Sequence, residues 1–211
     1  MRRPWGLAWR ALLGLTLASA GQHAQAGGGL LGIDHELAFD QRGIWARRDQ
    51  LALAYGVVGI EVVGALWLGN DDALGHTLWQ AIDASVGSGL GSAGLKLAFG
   101  RARPSAGLGP DQWFRGRGNQ SFPSGEVTLQ ASFVTPLIIN HADQHPWVWA
   151  LEVLPLYDGV ARMKSHAHWQ SDVLVGWALG TAAGYWATRR DTPFSVQVLP
   201  RSLSIGYSRR F

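Results

Sequence analysis

The 211-residue sequence contains no cysteine and has little charge. Without cysteine it has no disulfide framework, no thiolate metal site and no cysteine nucleophile. Charged residues make up 16% of the chain against 47% hydrophobic residues, and the net charge is only +3. It also lacks a long basic stripe with interleaved aromatic residues, which argues against nucleic-acid binding and favours a smaller anionic ligand.

The N-terminus has the pattern of a secretory signal peptide. A basic start at 1–10 precedes an apolar stretch at 11–20 and a small-residue cleavage pattern at 24–26. The apolar stretch is about half the ~20 residues that a membrane-spanning helix needs, which favours cleavage after residue 26 over an uncleaved anchor. We therefore expect an exported, periplasmic protein with one domain over 27–190 and a short tail over 191–211.

Five apolar segments predict helices, at 51–69, 77–99, 125–140, 147–163 and 169–188. The tail alternates with period two, which predicts a β-hairpin-like appendage. The expected fold is therefore an all-α bundle of five to six helices with a short β-like tail. The first segment is long enough to span a bilayer but carries Glu61, so we favour a soluble or membrane-associated bundle, with an integral membrane protein as the alternative.

Three polar stretches lie at the ends of these segments, and alternating helix directions would bring all three to one end of the bundle. Each alone fits an ordinary structural role, such as a helix cap or a surface pair. Together they place three cations, a helix N-terminus and a histidine around one anion pocket, for which phosphate is the natural occupant. His168 and Asp172 are four apart, so on a helix the carboxylate would hydrogen-bond one imidazole nitrogen and leave the other basic. The polar residues at these ends are Lys96, Arg103, Ser124, Gly125, Arg162, His168 and Asp172.

The order and internal spacing of these motifs resemble those of the type 2 phosphatidic acid phosphatase family, which is related to vanadium haloperoxidases and bacterial class A acid phosphatases. The resemblance implies that His168 attacks phosphorus to form a phosphohistidine, with Asp172 orienting and stabilising it. No metal or other cofactor is implied. The residues implied to hold the phosphate oxygens are Lys96, Arg103, Arg162, the Ser124 hydroxyl and the Gly125 amide.

The sequence departs from the family pattern at two positions. Ala161 replaces the usual serine before the third-motif arginine, which removes a hydrogen bond. Glu126 stands where the family has the histidine that protonates the leaving oxygen, a task that a glutamate can perform only when protonated. Burial raises the pKa of a carboxyl group whereas neighbouring cations lower it, so the direction is open.

Three interpretations of Glu126 follow. It is a working acid with a raised pKa, or it marks an enzyme slowed or shifted towards acid pH and good leaving groups, or it marks a phosphate-binding protein without turnover. On a helix, His166 would point about 200° away from His168, so it is not favoured as a substitute acid.

The expected activity is hydrolysis of a phosphomonoester or pyrophosphate, with a lipid phosphate met at a membrane surface as the favoured substrate. Export, apolar helices and 11 tryptophans suggest a membrane surface, and a soluble phosphomonoester is the close alternative. Two other classes stay open: a vanadate-dependent haloperoxidase and a non-catalytic binder of phosphate or lipid headgroups. The stretch Asp34-His35-Glu36 could suggest a metal site, but we expect it to be a solvated surface near the N-terminus.

Overall fold

The computed structural model describes residues 28–190, 194–199 and 202–207. The predicted all-α bundle is confirmed, and two antiparallel strands form the expected hairpin-like tail. The predicted signal peptide lies outside the described residues and stays a prediction, as do the domain boundaries. The elements are α1 (Arg47–Leu68), α2 (Ala73–Phe99), α3 (Gly125–His141), α4 (Val153–Lys164), α5 (Gln170–Ala187), β1 (Phe194–Leu199) and β2 (Ser202–Tyr207).

Local sequence signals fix both ends of α2. The side chain of Asp72 accepts hydrogen bonds from the backbone N–H groups of Leu74 and Gly75, both at 2.9 Å, and so caps the free donors of the first turn. At the other end Gly100 adopts a left-handed conformation with φ of 44°, which a glycine does without a Cβ penalty. The chain therefore leaves α2 after Phe99, and Lys96 lies in the last turn of the helix.

Helix α3 is the central helix and packs against α2, α4 and α5. Small residues let α5 lie unusually close to it: a Cβ on Gly176 would be 2.5 Å from the backbone oxygen of Ser124, and one on Gly180 would be 2.3 Å from that of Thr128. Any larger side chain at these positions would push the two helices apart. The glycines thus hold the start of α5 against the start of α3.

The predicted helix 147–163 is divided in the structure. A 3-10 helix spans Pro146–Glu152, and α4 proper begins only at Val153. Pro155 explains the division, because it has no N–H to donate to the carbonyl four residues earlier and is tolerated only in the first turn of an α-helix. The C-terminal end of α4 is as predicted, within one residue.

Helix α1 is the least embedded part of the bundle. It is long and apolar enough to cross a membrane, judged by length and composition. Only 22% of its most apolar 18-residue window is buried in the protein. Large apolar side chains such as Tyr55, Val63 and Trp67 are exposed on it. Glu61 instead faces inward, where its carboxylate accepts a 2.7 Å hydrogen bond from the Ser85 hydroxyl.

The long loop between α2 and α3 is held by backbone hydrogen bonds. Ala102 donates to the carbonyl of Gln112 at 2.9 Å, and Phe114 donates to that of Phe99 at 2.7 Å. Ser121 donates to the carbonyl of Arg101 at 3.0 Å, which brings the end of the loop back to its beginning. The loop is therefore an ordered wall beside the start of α3.

Candidate active site

The ends of four helices meet at one end of the bundle. The backbone N–H of Ser124, at the start of α3, donates to the carbonyl of Asp172, at the start of α5, over 2.9 Å. A Cβ on Gly125 would lie 3.7 Å from Cε of Lys96, so the end of α2 is also in contact with the start of α3. Arg162, near the end of α4, lies 3.7 Å from the carboxylate of Glu126. The three motifs are thus brought together.

Three cations of this region lie in surroundings that disfavour their charge. Burial, followed by repulsion from Arg103, lowers the pKa of Lys96 to about 8, and its ammonium donates to the carbonyls of Gln120 and Pro123 at 2.9 and 2.5 Å. Burial also lowers the pKa of Arg103 and of Arg162. Arginine keeps its charge all the same. An anion bound among the three would relieve their mutual repulsion and repay part of their desolvation.

Ser124 occupies the N-cap position of α3, but its side chain makes no capping hydrogen bond. The hydroxyl is buried and has no hydrogen-bond partner among the described residues. An α-helix also leaves its first backbone N–H groups without partners inside the helix, and here these begin with Gly125. An unused hydroxyl beside unused amides, next to three cations, is a suitable arrangement for an oxyanion.

The imidazole of His168 is held in one tautomer. Its Nδ1 lies 2.6 Å from the carbonyl oxygen of Ser121, and because a carbonyl only accepts, Nδ1 must carry the proton. Burial lowers the pKa of His168 to about 4, with Asp172 opposing the shift and Arg162 adding to it. At neutral pH the ring is therefore uncharged, with a basic lone pair on Nε2.

The hydrogen bond predicted between His168 and Asp172 is not formed. Nδ1 and the nearest carboxylate oxygen are 3.8 Å apart, which leaves an electrostatic contact only. The reason is that His168 precedes the helix, which begins at Gln170, so the two residues do not share a helical face. Asp172 instead turns back and accepts from the N–H of Trp169 at 2.9 Å, as the third residue of a capping box.

Asp172 belongs to a buried charge network that the sequence did not reveal. It accepts hydrogen bonds from Arg101 at 2.6 Å and from the Ser121 hydroxyl at 2.5 Å. Arg101 also donates to Asp34 at 2.6 Å, and both side chains of that pair are fully buried. The expectation that Asp34 lies on a solvated surface is wrong, because its carboxylate is needed to neutralise Arg101 inside the protein.

Glu126 is bound in an ion pair rather than held as an acid. Both guanidinium Nη atoms of Arg47 donate to its two carboxylate oxygens, at 2.7 and 2.8 Å. Burial alone would raise the pKa of Glu126, but the hydrogen bonds from Arg47 and the charge of Arg162 outweigh it, and the pKa is lowered. The interpretation of Glu126 as a working acid with a raised pKa is therefore wrong in this arrangement.

Helix α1 supplies two site residues that sequence reasoning missed. Besides Arg47, the buried Gln50 accepts through its side-chain oxygen from both Arg47, at 3.1 Å, and Arg162, at 3.0 Å. These residues lie 79 and 112 positions from their partners, and no local pattern marks them. His166, by contrast, lies outside the site, where its Nε2 is 2.7 Å from the carbonyl oxygen of Leu37.

The arrangement combines a neutral imidazole nucleophile with a cationic pocket and open hydrogen-bond donors. These are the parts that transfer of a phosphoryl group to a protein nucleophile needs. Among the residues that the structure describes, no cluster of three or more histidine, aspartate or glutamate side chains is placed to hold a metal ion.

Comparison with known proteins gives a family, a relative and a structural neighbour. A model of the PAP2 superfamily matches residues 77–193, more than half of the chain. The chain is 30% identical over 111 residues to a lipid A 1-phosphatase of Porphyromonas gingivalis, a match that covers 51% of this chain but only 22% of that relative. It is similar in structure to LpxE of Aquifex aeolicus, with a TM-score of 0.52 and 20% identity, over 71% of this chain and 88% of the other. At that identity the likeness shows a shared fold.

Proposed function

The chain belongs to the PAP2 superfamily, and from that membership and the site geometry we propose that it is a phosphatase acting through a covalent phosphohistidine. The observation that carries the proposal is the single tautomer of His168, whose Nδ1 is tied to the Ser121 carbonyl. This leaves Nε2 as the nucleophilic atom beside the buried cations.

In the proposed reaction, Nε2 of His168 attacks phosphorus, a P–N bond forms and the P–O bond to the leaving group breaks. Water then attacks the same phosphorus, the P–N bond breaks, and phosphate and the free imidazole are regenerated. Asp172, 3.8 Å from the ring, stabilises the positive charge that the phosphorylated imidazole carries. The charge of the transferred group is met by protein donors, so the proposal uses no metal ion. These donors are Lys96, Arg103, Arg162, the Ser124 hydroxyl and the Gly125 N–H.

The ionised Glu126 decides which substrates suit this site. Because its carboxylate is clamped by Arg47, it has no proton to give to the departing oxygen. We propose that the leaving oxygen takes its proton from water, which favours substrates whose leaving group is already a weak base, such as a pyrophosphate. This corresponds to the second of the three interpretations of Glu126.

We further propose that the substrate is a phosphorylated lipid met at a membrane. Two observations support a lipid: the similarity to a lipid A 1-phosphatase, and the exposed apolar face of α1. Arg47 begins this helix, so the same element carries apolar side chains for the bilayer and a cation for the site. With the predicted signal peptide, the proposed location is the periplasmic side of a membrane.

The test is phosphate release by the purified protein, with His168→Ala as the variant. We expect a loss of about 10⁴-fold or more, as for removal of a covalent nucleophile. His166→Ala is the matched control, because this neighbouring imidazole binds the Leu37 carbonyl outside the site and its loss should spare turnover. Acid-labile, base-stable phosphate on the wild-type protein, absent from His168→Ala, identifies the intermediate. Turnover by His168→Ala at near wild-type rate would refute the mechanism.

A second candidate is a phosphate-binding protein without turnover, which the ion-paired Glu126 favours because the family acid is missing. The same experiment separates the two functions. A binder releases no phosphate from any substrate of the panel, and its affinity for phosphate survives His168→Ala almost unchanged.

A further inference from the structure

Asp158, in the middle of α4, is a buried carboxyl group that the proposed chemistry does not use. Its exposure is 0%, and neither carboxyl oxygen has a hydrogen-bond partner among the described residues. A buried carboxylate without a partner is strongly unfavourable, so such a group either stays uncharged or has a partner in another state.

Asp158 lies one layer beneath the contact between α3 and α4. Helix α3 leaves the site and α4 enters it, and the 3.7 Å contact of Glu126 with Arg162 fixes the level at which they meet. Gln130 and Asp158 each lie one turn, about 5.4 Å, further into the bundle along their own helices. The side-chain amide of Gln130 also has no partner among the described residues. Both groups are therefore buried polar side chains without hydrogen-bond partners in the described part of the chain, each one helical turn from the contact of Glu126 with Arg162.

One hydrogen-bond donor of Arg162 is unused within the part of the chain that the structure describes. Its Nη1 donates to Gln50 at 3.0 Å, but its Nε is buried and makes no hydrogen bond to any described residue. Positions 158 and 162 are four apart on α4, so the carboxyl oxygens and the guanidinium share one helical face. Arg162 is thus bonded to Gln50 and lies 3.7 Å from Glu126, whereas Asp158 acts on it only through its charge.

We propose that Asp158 is a positioning residue that competes with the bound oxyanion for Arg162. While Asp158 is uncharged, the guanidinium stays directed towards the pocket. Once Asp158 is ionised, it attracts the guanidinium back along α4 and weakens the binding of the anion. This inference rests on the proposed role of Arg162 as a ligand of the phosphate group.

Charged groups from three helices act on Asp158: Glu126 of α3, Arg47 of α1 and Arg162 of α4 itself. No ionisable side chain from the described part of α5 is among them, and the adjacent Tyr157 bonds through its hydroxyl to the carbonyl of Ile44. Burial raises the pKa of Asp158 to about 7; Glu126 adds to the rise, and the two arginines oppose it. Anion affinity should therefore be full below pH 7 and decline as the pH rises through 7.

The test is calorimetric titration of the wild-type protein and of Asp158→Asn with sulfate at pH 6 and pH 8. Sulfate keeps its double charge over this range, so any change reports the protein. We expect wild-type affinity to fall about fivefold more than that of the variant between pH 6 and pH 8, as it would if anion binding raised the pKa of Asp158 by about one unit. Wild type should also take up protons on binding at pH 7, and the variant should take up far fewer. Deprotonation of Lys96, whose pKa is about 8, lowers sulfate affinity equally in both proteins as the pH rises.

Glu152→Gln is the matched control. Glu152 is also buried, and burial also raises its pKa to about 7, but it precedes α4 and lies ten residues from Arg162. Its loss should leave the wild-type pH response intact. Asp158→Ser serves as a second neutral variant should the asparagine protein fail to fold.

Asp158 variants with the wild-type pH response, or with equally reduced affinity at both pH values, would overturn the inference, as would a Glu152→Gln protein with the same flattened response. Sulfate that fails to bind at any pH would overturn it together with the proposed function. A protein that hydrolyses no phosphate, yet shows the pH response that depends on Asp158, would support the inference and refute the phosphatase.

Discussion

Replacement of Glu126 by glutamine should leave the leaving-group preference of the protein unchanged. The pKa of Glu126 lies below its ordinary value of 4.5, because Arg47 binds both of its oxygens. A group with such a pKa is protonated in fewer than about one molecule in 300 at pH 7. General acid catalysis contributes about 10²–10⁴-fold, and so small a protonated fraction cancels most of that gain.

The assay compares p-nitrophenyl phosphate, whose leaving group departs without a proton, with glycerol phosphate, whose leaving group needs one. Without an acid at position 126, the wild-type kcat should be at least about 10²-fold lower for glycerol phosphate, or about 3 kcal/mol of barrier. Glu126→Gln has nearly the same shape but no charge, and we expect the ratio of the two rates to stay within about threefold. The KM should fall for both substrates, because a negative charge beside the pocket is gone.

A selective effect would refute this reasoning. If Glu126→Gln lowered kcat for glycerol phosphate by tenfold or more and spared p-nitrophenyl phosphate, Glu126 would supply the proton in the bound state. Arg47 would then have to release the carboxylate when substrate arrives. The wild-type rate on glycerol phosphate would in that case rise at acid pH along a limb that the variant lacks.

Two further predictions concern the groups around the pocket. Ser124→Ala should lower sulfate affinity severalfold but leave the melting temperature within about 2 °C. The hydroxyl makes no capping hydrogen bond, the loss of which ordinarily destabilises a protein by ~1 kcal/mol. A lower melting temperature with unchanged affinity would contradict this prediction. Arg101→Met should destabilise the protein by about 3–5 kcal/mol, because Asp34 and Asp172 would be left buried without their cation. For a chain of this size that lowers the melting temperature by roughly 6–20 °C. Arg48→Met is the control, because Arg48 is exposed and its replacement should not change the melting temperature. Equal melting curves for the two variants would refute the buried ion pairs of Arg101.

The sequence predicts the fold, and the gathering of the polar helix ends at one end of the bundle, because both depend on local signals. Helix ends are encoded by short-range chemistry, such as the glycine after Phe99 and the Pro-Ser-Gly turn before α3. Once the ends of the helices are known, the side chains at those ends are placed together by the alternation of helix directions. This reasoning placed Lys96 and Arg162 at the same end of the bundle as His168.

The prediction for His168 and Asp172 was wrong in one respect, because a four-residue spacing was taken to mean a shared helical face. Trp169 is the N-cap of α5, and Asp172 is the third residue after it, a position where an acid caps its own helix. That signal was present in the sequence and would have indicated that the imidazole stands outside the helix. The carbonyl of Ser121 then becomes the partner of the ring, and no side-chain pattern could identify it.

The partners that could not be predicted are those that are far apart in the sequence. Arg47 is 79 positions from Glu126, and Asp34 is 67 positions from Arg101. Nothing local marks a long-range ion pair, because its two halves are each ordinary charged residues until the fold brings them together. The direction of the pKa shift of Glu126 was open for this reason, and Arg47 of α1 and the charge of Arg162 together lower the pKa.

Glu126 therefore has a different effect from a histidine at the same position. Four cations lie at this end of the bundle, and without a ligand they repel one another in partly desolvated surroundings. They are Arg47, Lys96, Arg103 and Arg162. An ionised carboxylate between Arg47 and Arg162 reduces that repulsion and holds both guanidinium groups in place. The same charge opposes the binding of a phosphate dianion, so the pocket gains order at the expense of affinity. Weak binding is sufficient for a substrate that a membrane concentrates beside the apolar face of α1. It would leave the site mostly empty for a substrate that is dilute in solution.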